Sequence, residues 1–318
     1  MDLRALRYFV ETVRQQSFTQ AAVSLCVTQS TISKMVRQLE DEMGQPLLIR
    51  EGRQVRLTDA GQIVFARGQE ALALVHQLQR EVSDLASLSR GELTVGLPPT
   101  VNVLFSPLVR HFKERYPQIE LSIREAGGQV VEQLVASGEL EVGVSVLPVD
   151  PALGLETAVL GRYPVCLVGP KDVAWADRPR LGLQVLHQQP VVMLGDDYAL
   201  TRQLRAAFQK ANVMPHVVAQ SGQWDFLLSL VQAGMGTALL PEPVLLRAHL
   251  GDDIVVRPLH DTAAVWTIAM VWARDRYLSH AARAWLEVCR DFSSPARSAG
   301  HLPAADAQGT VPESGRSP

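Results

Sequence analysis

Apolar and polar positions at the start of the chain repeat at helical spacing. An apolar residue at every third or fourth position predicts a first amphipathic helix. This stripe consists of Leu3, Leu6, Val10 and Val13. Ser17, with Gln20 three residues later, is typical of the start of a second helix over about residues 18–25. The inward positions of that helix are Phe18, Ala21, Ala22 and Leu25.

A third helix and a hairpin are predicted next. Thr28 can cap a helix over about residues 29–43, which Gly44 and Pro46 would end. Its apolar stripe is Ile32, Val36, Leu39 and Met43. The segment LLIREGRQVRLT has β-type residues on both sides of EGR, which predicts a short hairpin, or wing. Residues 1–58 are therefore expected to form a small helical domain with a wing.

Residues 59–89 are expected to form one long helix with an apolar seam. The seam has heptad-like spacing and consists of Val64, Ala71, Val75, Leu78, Val82 and Leu85. Gly68 is expected to be a weak point of this helix. Such a seam needs a partner, and a second copy of the chain is the favoured one. Packing on the chain's own domain is the alternative.

From Gly91 the pattern changes to alternating strands and helices. The strand segments are ELTVGL, IELSIRE, EVGVSVL, PVVMLG, HVVAQS, TALLP and VWTIAMVWA. The predicted helices span residues 101–116, 129–137, 201–212, 223–233 and 279–291. This alternation predicts an α/β domain over residues 90–292 with two lobes. The first lobe is expected at 90–161 plus 269–292 and the second at 162–268, with a disordered tail at 293–318.

Composition narrows the functional classes. The chain has 318 residues, of which 47% are hydrophobic, and a formal net charge of −3, so a broadly basic coat is excluded but a local basic patch is not. Charges interrupt every apolar run near the start, and no later segment could span a bilayer. We therefore expect a cytoplasmic protein with no membrane partner.

Catalytic and metal-binding patterns are missing from the sequence. Cys26, Cys166 and Cys289 lie far apart and do not have zinc-ligand spacing with histidines. The sequence AGMGTA does not fit a dinucleotide-binding fingerprint, and neither a GxSxG elbow nor a Walker A loop is present. We expect no metal, no cofactor and no enzymatic activity, and we interpret the cysteines as buried or incidental thiols.

The third helix carries the residues that could contact DNA. Its outward face consists of Gln29, Ser30, Ser33, Lys34 and Arg37. Hydrogen-bonding groups and cations at the start of a helix after a tight turn are typical of a recognition helix in the major groove. Arg50, Arg53 and Arg56 in the wing suit contacts with the DNA backbone or minor groove. A solvated polar face on a packing helix is the alternative, and spacing alone does not decide between them.

A family resemblance does decide between them. The pieces SFTQAA, VTQSTIS, LEDEMG and VRLTDAG resemble the N-terminal winged helix-turn-helix of LysR-type transcriptional regulators, and LVQAGMGTALLP lies near its expected place. The resemblance covers about residues 1–292 and implies a winged helix-turn-helix, a linker helix and a two-lobed effector domain like a periplasmic binding protein. The recognition contacts that it implies are Gln29, Ser30, Thr31, Ser33 and Lys34, with Arg37, Arg50 and Arg53 on the DNA backbone.

An effector site is expected between the lobes, where the carboxyl ends of strands meet helix starts. Its candidate residues, at positions that resemble the family's inducer pocket, are Thr100, Asn102, Ser145, Tyr198, Thr201, Ser221 and Trp224. Thr100 and Asn102, with the local amides, could bind a carboxylate, which makes a small organic acid a candidate effector. Thr100 and Thr201 could alternatively be plain helix caps. Gly127 and Gly128 stand where relatives often have a hydroxyl.

These observations predict a ligand-responsive transcriptional regulator. Its DNA target would be an imperfect palindrome in a promoter, bound by a dimer or tetramer. A repressor that needs no ligand is the alternative. A solute-binding or enzymatic protein whose first helices serve only assembly would need a secretion signal or a catalytic set, and neither is visible.

Overall fold

The computed structural model describes residues 2–51, 54–86, 91–178, 181–246, 248–260 and 265–292. The N-terminal elements are helices α1 (Leu3–Gln15), α2 (Phe18–Ser24) and α3 (Gln29–Met43), strands β1 (Leu48–Glu51) and β2 (Gln54–Leu57), and helix α4 (Asp59–Ala86). We call α1 to β2 the head.

Local capping starts each head helix where the sequence predicts it. Ser17 accepts a hydrogen bond from the Gln20 amide, and Thr28 accepts one from the Thr31 amide. The apolar faces of the three helices pack into one core, whose fully buried members include Phe9, Ile32, Val36, Leu39 and Leu47. Two predicted core positions are wrong. Leu3 and Met43 are exposed, because each lies at the end of its helix.

Side-chain hydrogen bonds attach the wing to the helices on both sides. β1 and β2 pair antiparallel, with Leu48 opposite Leu57. The Glu40 carboxylate accepts hydrogen bonds from the amides of Leu47 and Leu48, at 2.8 and 3.1 Å. Thr58 donates to the Pro46 carbonyl and accepts from the Gly61 amide. The wing is therefore fixed to both α3 and α4.

Two glycines let α4 approach the head closely. A Cβ at Gly61 would lie 2.0 Å from the Leu47 carbonyl oxygen, and one at Gly68 would lie 2.7 Å from a methyl carbon of Leu6. The interpretation of Gly68 as a weak point was therefore incomplete, because this position is where α4 contacts α1. Of the predicted helix over 59–89, residues 59–86 are helical, and residues 87–90 lie outside the described part of the chain.

The apolar seam of α4 divides into two parts. Val64 and Ala71 pack against the head core, as in the alternative interpretation. Leu78 and Val82 are 62% and 60% exposed, and so is their neighbour Leu74 at 62%. The second half of α4 therefore presents an uncovered apolar stripe. The Leu85 side chain lies outside the described part.

The C-terminal domain is built on one mixed sheet. Its strands are β3 (Gly91–Leu97), β4 (Ile119–Glu125), β5 (Val142–Val146), β6 (Leu155–Pro170), β7 (Pro190–Leu194), β8 (His216–Ser221), β9 (Thr237–Pro241), β10 (Ile254–Pro258) and β11 (Val265–Ala273). Its helices are α5 (Asn102–Arg115), α6 (Gly128–Ala136), α7 (Ala199–Lys210), α8 (Trp224–Gln232), α9 (Glu242–Leu245) and α10 (His280–Phe292).

Two long strands join the lobes. The order β4-β3-β5-β11-β6-β9-β7-β8, with β10 beside β6, sets two parallel groups on either side of β11 and β6. We call the group β3, β4 and β5 with its helices the first lobe, and β7, β8 and β9 with theirs the second. β6 pairs with β11 over Leu155–Pro164 and with β9 and β10 from Val165 onward. None of the helices in the described ranges is long and apolar enough to cross a membrane.

Candidate functional site

The exposed face of α3 carries the predicted DNA contacts. Ile32, Val36 and Leu39 are fully buried, so the opposite face of the helix points outward. Exposed on that face are Gln29, Ser30, Thr31, Lys34 and Arg37, with Ser33 half-buried among them. Neither Lys34 nor Arg37 forms an ion pair with a residue in the described ranges. Their charges are therefore free to meet phosphates.

The start of α3 has its hydroxyl groups grouped around the cap. The Thr28 hydroxyl lies 3.0 Å from that of Ser30 and 2.8 Å from that of Thr31. Both helix hydroxyls are thus held by local partners at the N-terminus, where amides and the helix dipole favour an anion. The acidic end of α3 has a structural use, because Glu40 anchors the wing.

Only part of the wing lies within the described residues. Arg50 lies in β1 opposite Val55, and Arg56 in β2 is exposed opposite Ile49. The Arg50 side chain and the whole of Arg53 lie outside the described part of the structure. Their proposed contacts with the DNA backbone remain predictions.

A small cavity lies where the two lobes meet. Its wall consists of Pro98, Thr100, Gly127, Gly128, Val146, Leu194, Asp197, Tyr198, Ala199, Leu200, Trp224, Leu240, Pro241, Val244 and Trp266. The volume open to the centre of a water molecule is about 30 Å³, enough for one or two waters. A larger molecule therefore needs the walls to move apart.

Three predicted effector residues line this cavity. Thr100 is 8% exposed, and its hydroxyl has no hydrogen-bond partner among the described residues. The Tyr198 hydroxyl donates to the Gly222 carbonyl at 2.7 Å, and burial, followed by the charge of Asp197, raises the pKa of this phenol. Trp224 adds an aromatic wall. Of these, Thr100 has the unused polar group.

The other four predicted effector residues are not part of the cavity wall, and each forms a hydrogen bond inside the protein. Thr201 donates to the Leu194 carbonyl at 3.0 Å, and Ser145 donates to Glu132 at 2.5 Å. The remaining two, Asn102 and Ser221, are half-buried. Asn102 donates to Glu125 at 2.8 Å, but its buried Oδ1 has no hydrogen-bond partner among the described residues. Ser221 accepts from the Gln223 amide at 3.1 Å. Thr201 is not the cap of α7, which begins at Ala199 after Tyr198.

Helix N-termini face the cavity from both lobes. α6 begins after Gly127 in the first lobe and α7 after Tyr198 in the second, and neither helix has a side-chain cap among the described residues. Their first amides are therefore open to an anion. Sequence reasoning missed several apolar wall residues, namely Leu240, Val244 and Trp266. Their strands and helices carry no local signal that distinguishes a cavity wall from the core.

The remaining reactive groups do not form a site. Within the described ranges no three His, Cys, Asp or Glu residues are grouped as metal ligands would be. Cys166 and Cys289 are buried and Cys26 is exposed. Burial, followed by the charge of Glu242, raises the pKa of the Cys166 thiol to about 12, so this sulfur stays protonated and unreactive.

The fold defines a class: a transcriptional regulator with a helix-turn-helix head and an effector-binding domain. Residues 3–62 match the family model "Bacterial regulatory helix-turn-helix protein, lysR family", and residues 86–294 match "LysR substrate binding domain". The chain belongs to the LysR family of regulators.

Individual relatives agree with this assignment. The chain is 37% identical over 293 residues to the uncharacterized HTH-type transcriptional regulator YwbI of Bacillus subtilis, covering 92% of this chain and 97% of that protein. It is similar in structure to a full-length OxyR variant of Pseudomonas aeruginosa, with a TM-score of 0.66, 26% identity and coverage of 92% and 94%. CbnR in complex with its target DNA shares the fold at a TM-score of 0.63 and 21% identity, covering 92% of this chain and 100% of that one.

Proposed function

We propose that this protein is a sequence-specific transcriptional regulator whose activity is set by a small molecule bound between the lobes. The observation that carries the ligand part is Thr100. Thr100 is 8% exposed, and its hydroxyl, which has no hydrogen-bond partner among the described residues, is accessible from a cavity that uncapped helix starts face from both lobes. In that position the hydroxyl can hydrogen-bond a ligand that enters the cavity.

The cavity favours one chemical class of effector. Open amides of α6 and α7 and the Thr100 hydroxyl suit a carboxylate, while Trp224 and Trp266 suit an apolar body. The Asp197 carboxyl group also lines the wall and would repel a second negative charge. The effector is therefore a small monocarboxylic acid with an aromatic or branched apolar part.

A thermal-shift screen of the full chain tests the ligand part. Small aromatic and branched aliphatic monocarboxylates should raise Tm, because a ligand that binds the native state stabilises it. The matching amides, which lack the charge, should not, and Thr100→Val should abolish the shift. Equal shifts by acids and amides would contradict carboxylate recognition. A panel without any shift would favour a DNA-binding repressor that needs no ligand.

On DNA, α3 is proposed to enter the major groove. Gln29, Ser33 and Lys34 would contact base edges, together with Ser30 and Thr31 at the helix start. Arg37, with Arg50 and Arg53 of the wing, would contact the backbone. Footprinting on the promoter that diverges from the protein's own gene tests this. Protection that Ser33→Ala with Lys34→Ala removes is expected, and unchanged protection would contradict it.

Self-association is proposed through the exposed stripe of α4. Leu74, Leu78 and Val82 are each at least 60% exposed and lie at intervals of four residues on one helix face. A two-fold pair of these helices would bring two heads to an imperfect palindrome, as a dimer or as half of a tetramer. Leu78→Glu with Val82→Glu should lower the mass seen in sedimentation. The control Val23→Glu, at a residue 69% exposed on α2, should not.

The proposal assigns residues 1–58 to the DNA-binding domain, 59–89 to the linker helix and 90–292 to the effector domain. Within that domain it assigns 90–161 and 269–292 to the first lobe and 162–268 to the second. Residues 293–318, which the sequence predicts to be a disordered tail, lie outside the described residues. It also gives the protein a cytoplasmic location, where a regulator meets bacterial chromosomal DNA.

A further inference from the structure

A turn of the first lobe lies against the linker helix of the same chain. We call residues Gly138–Glu141, between α6 and β5, the docking turn. Gly138 has φ +79°, and a Cβ there would lie 3.0 Å from the Ala73 Cβ on α4 and 2.2 Å from a guanidinium nitrogen of Arg276. This approach to α4 therefore needs a glycine, both for its backbone conformation and for its lack of a side chain.

Charged groups fix the docking turn to the head. The Glu139 carboxylate bridges two arginines, Arg14 at the end of α1 and Arg124 on β4. The side chains of Arg14 and Glu139 are 26% and 25% exposed, so water screens this pair only in part. One carboxylate thus connects the DNA-binding head to the effector domain.

A second group of contacts fixes the later turns of α4. Glu141 lies 3.6 Å from Arg80 and accepts hydrogen bonds from the amide and hydroxyl of Ser279, at 2.6 and 2.9 Å. Asp84 accepts from the Tyr277 hydroxyl at 2.6 Å and from the His280 amide at 2.7 Å. Residues 73, 80 and 84 are seven and four positions apart, so they share one face of α4. At about 100° per residue this face points away from the exposed stripe at 74, 78 and 82.

Helix α6 connects the docking turn with the cavity. Gly127, which precedes the helix, and its first residue Gly128 form part of the cavity wall. The docking turn begins two residues after the last helical residue, Ala136. The helix lies in a groove made by two strand glycines: a Cβ at Gly96 or Gly143 would lie 2.8 or 2.4 Å from Val131. So tightly packed a helix of nine residues moves as one body.

We propose that α6 reports occupancy of the cavity to the linker helix of its own chain. An effector too large for the narrow cavity displaces the start of α6, and the docking turn at its other end then loosens from Arg14, Ala73 and Arg80. The head and α4 are held by the first lobe when the cavity is empty and released when it is filled. This inference rests on the proposed function, since it takes the cavity as the effector site.

Hydrogen–deuterium exchange on the full chain, measured without DNA or effector, tests the contact of the docking turn with α1 and α4. Glu139→Lys should speed exchange at the end of α1 and in residues 70–84 at least threefold, because it repels both arginines. Adding Arg14→Glu should restore part of the protection. The control Glu114→Lys, which breaks the exposed Arg110 pair on α5, should leave these segments unchanged. Unchanged exchange in Glu139→Lys would overturn the proposal.

Two neighbouring glycines test the coupling. A methyl group at Gly128 would lie 3.0 Å from the Ser145 hydroxyl oxygen, whereas one at Gly127 would have nothing within 4 Å. Gly128→Ala should therefore speed exchange in residues 70–84, and Gly127→Ala should not. If Gly128→Ala does not change exchange in residues 70–84, or speeds exchange in β11 equally, the coupling between the cavity and α4 is refuted. The contact between the docking turn and the head would still stand. Failure of the acid panel would instead count against the proposed function.

Discussion

Ser145 and Glu132 form a hydrogen-bonded pair in the interior of the first lobe. The hydroxyl donates to the carboxyl group over 2.5 Å, and the two residues are 0% and 5% exposed. Glu132 has one further described contact, the Asp150 amide at 3.5 Å. Ser145 is thus held by α6, although the sequence suggested a contact with the effector.

Ser145→Ala should lower the free energy of unfolding by about 1–3 kcal/mol, since it leaves a buried carboxyl group without its main partner. Urea unfolding of the full chain measures this. Ser221→Ala is the matched control, because that residue is half-buried and its loss should cost less. A Ser145→Ala variant of full stability that no longer responds to the acid panel would restore Ser145 as an effector contact.

Gly61→Ala should destabilise the head by about 3 kcal/mol or more. Its methyl group would lie 2.0 Å from a backbone carbonyl oxygen, which can move only with the wing. Gly68→Ala, in the same helix, meets a methyl tip of Leu6 that can rotate away, and alanine gains about 1 kcal/mol of helix propensity. Thermal unfolding should therefore rank Gly61→Ala far below Gly68→Ala. Equal costs would mean that the wing does not hold its position on α4.

Lys34→Ala should reduce the salt dependence of promoter binding. Losing one phosphate contact changes the slope of log affinity against log salt by about one. Gln29→Ala should weaken discrimination between sequences and leave the slope unchanged. Lys171→Ala, on the exposed surface of the effector domain, is the control and should alter neither. A slope unaffected by Lys34→Ala would remove this lysine from the DNA interface.

Stability should depend on pH through His76. His76 is exposed on one side, and partial burial of its ring, followed by the charges of Arg80 and Arg7, lowers its pKa below the usual 6.5, while Glu139 acts in the opposite direction. The unfolded state then binds more protons than the folded state between the folded pKa and 6.5, so stability falls as pH falls through that window. Urea unfolding should show a smaller difference between about pH 5.5 and about pH 7.5 in His76→Asn than in the unaltered chain. An unchanged difference would assign the effect to another group.

Local features of the fold were predictable, and contacts between distant segments were not. Ser17 and Thr28 cap their helices through neighbouring residues, so their roles follow from the sequence. β6 was not foreseen as one strand of 16 residues, because its two halves have different partners. β10 was missed, since only its pairing with β6 makes it a strand.

In the candidate effector site, too, contacts between distant segments could not be predicted from the sequence. A threonine near a helix start could be a cap, a core residue or a ligand contact, and its tertiary partner determines which. Thr201 finds the Leu194 carbonyl, whereas Thr100 finds no partner in the described ranges and faces the cavity. Gly68 likewise could not be recognised as a contact without Leu6 beside it.

The length of α4 turns small rotations into large displacements. Its 28 residues extend about 42 Å, and Thr58 attaches the wing to the end away from the effector domain. If α4 tilts by about 5° about its end at the effector domain, the wing and α3 move sideways by about 4 Å. This distance is close to the rise of one DNA base pair, about 3.4 Å. A change of a few degrees in one subunit is therefore enough to move a recognition helix out of register with its half-site.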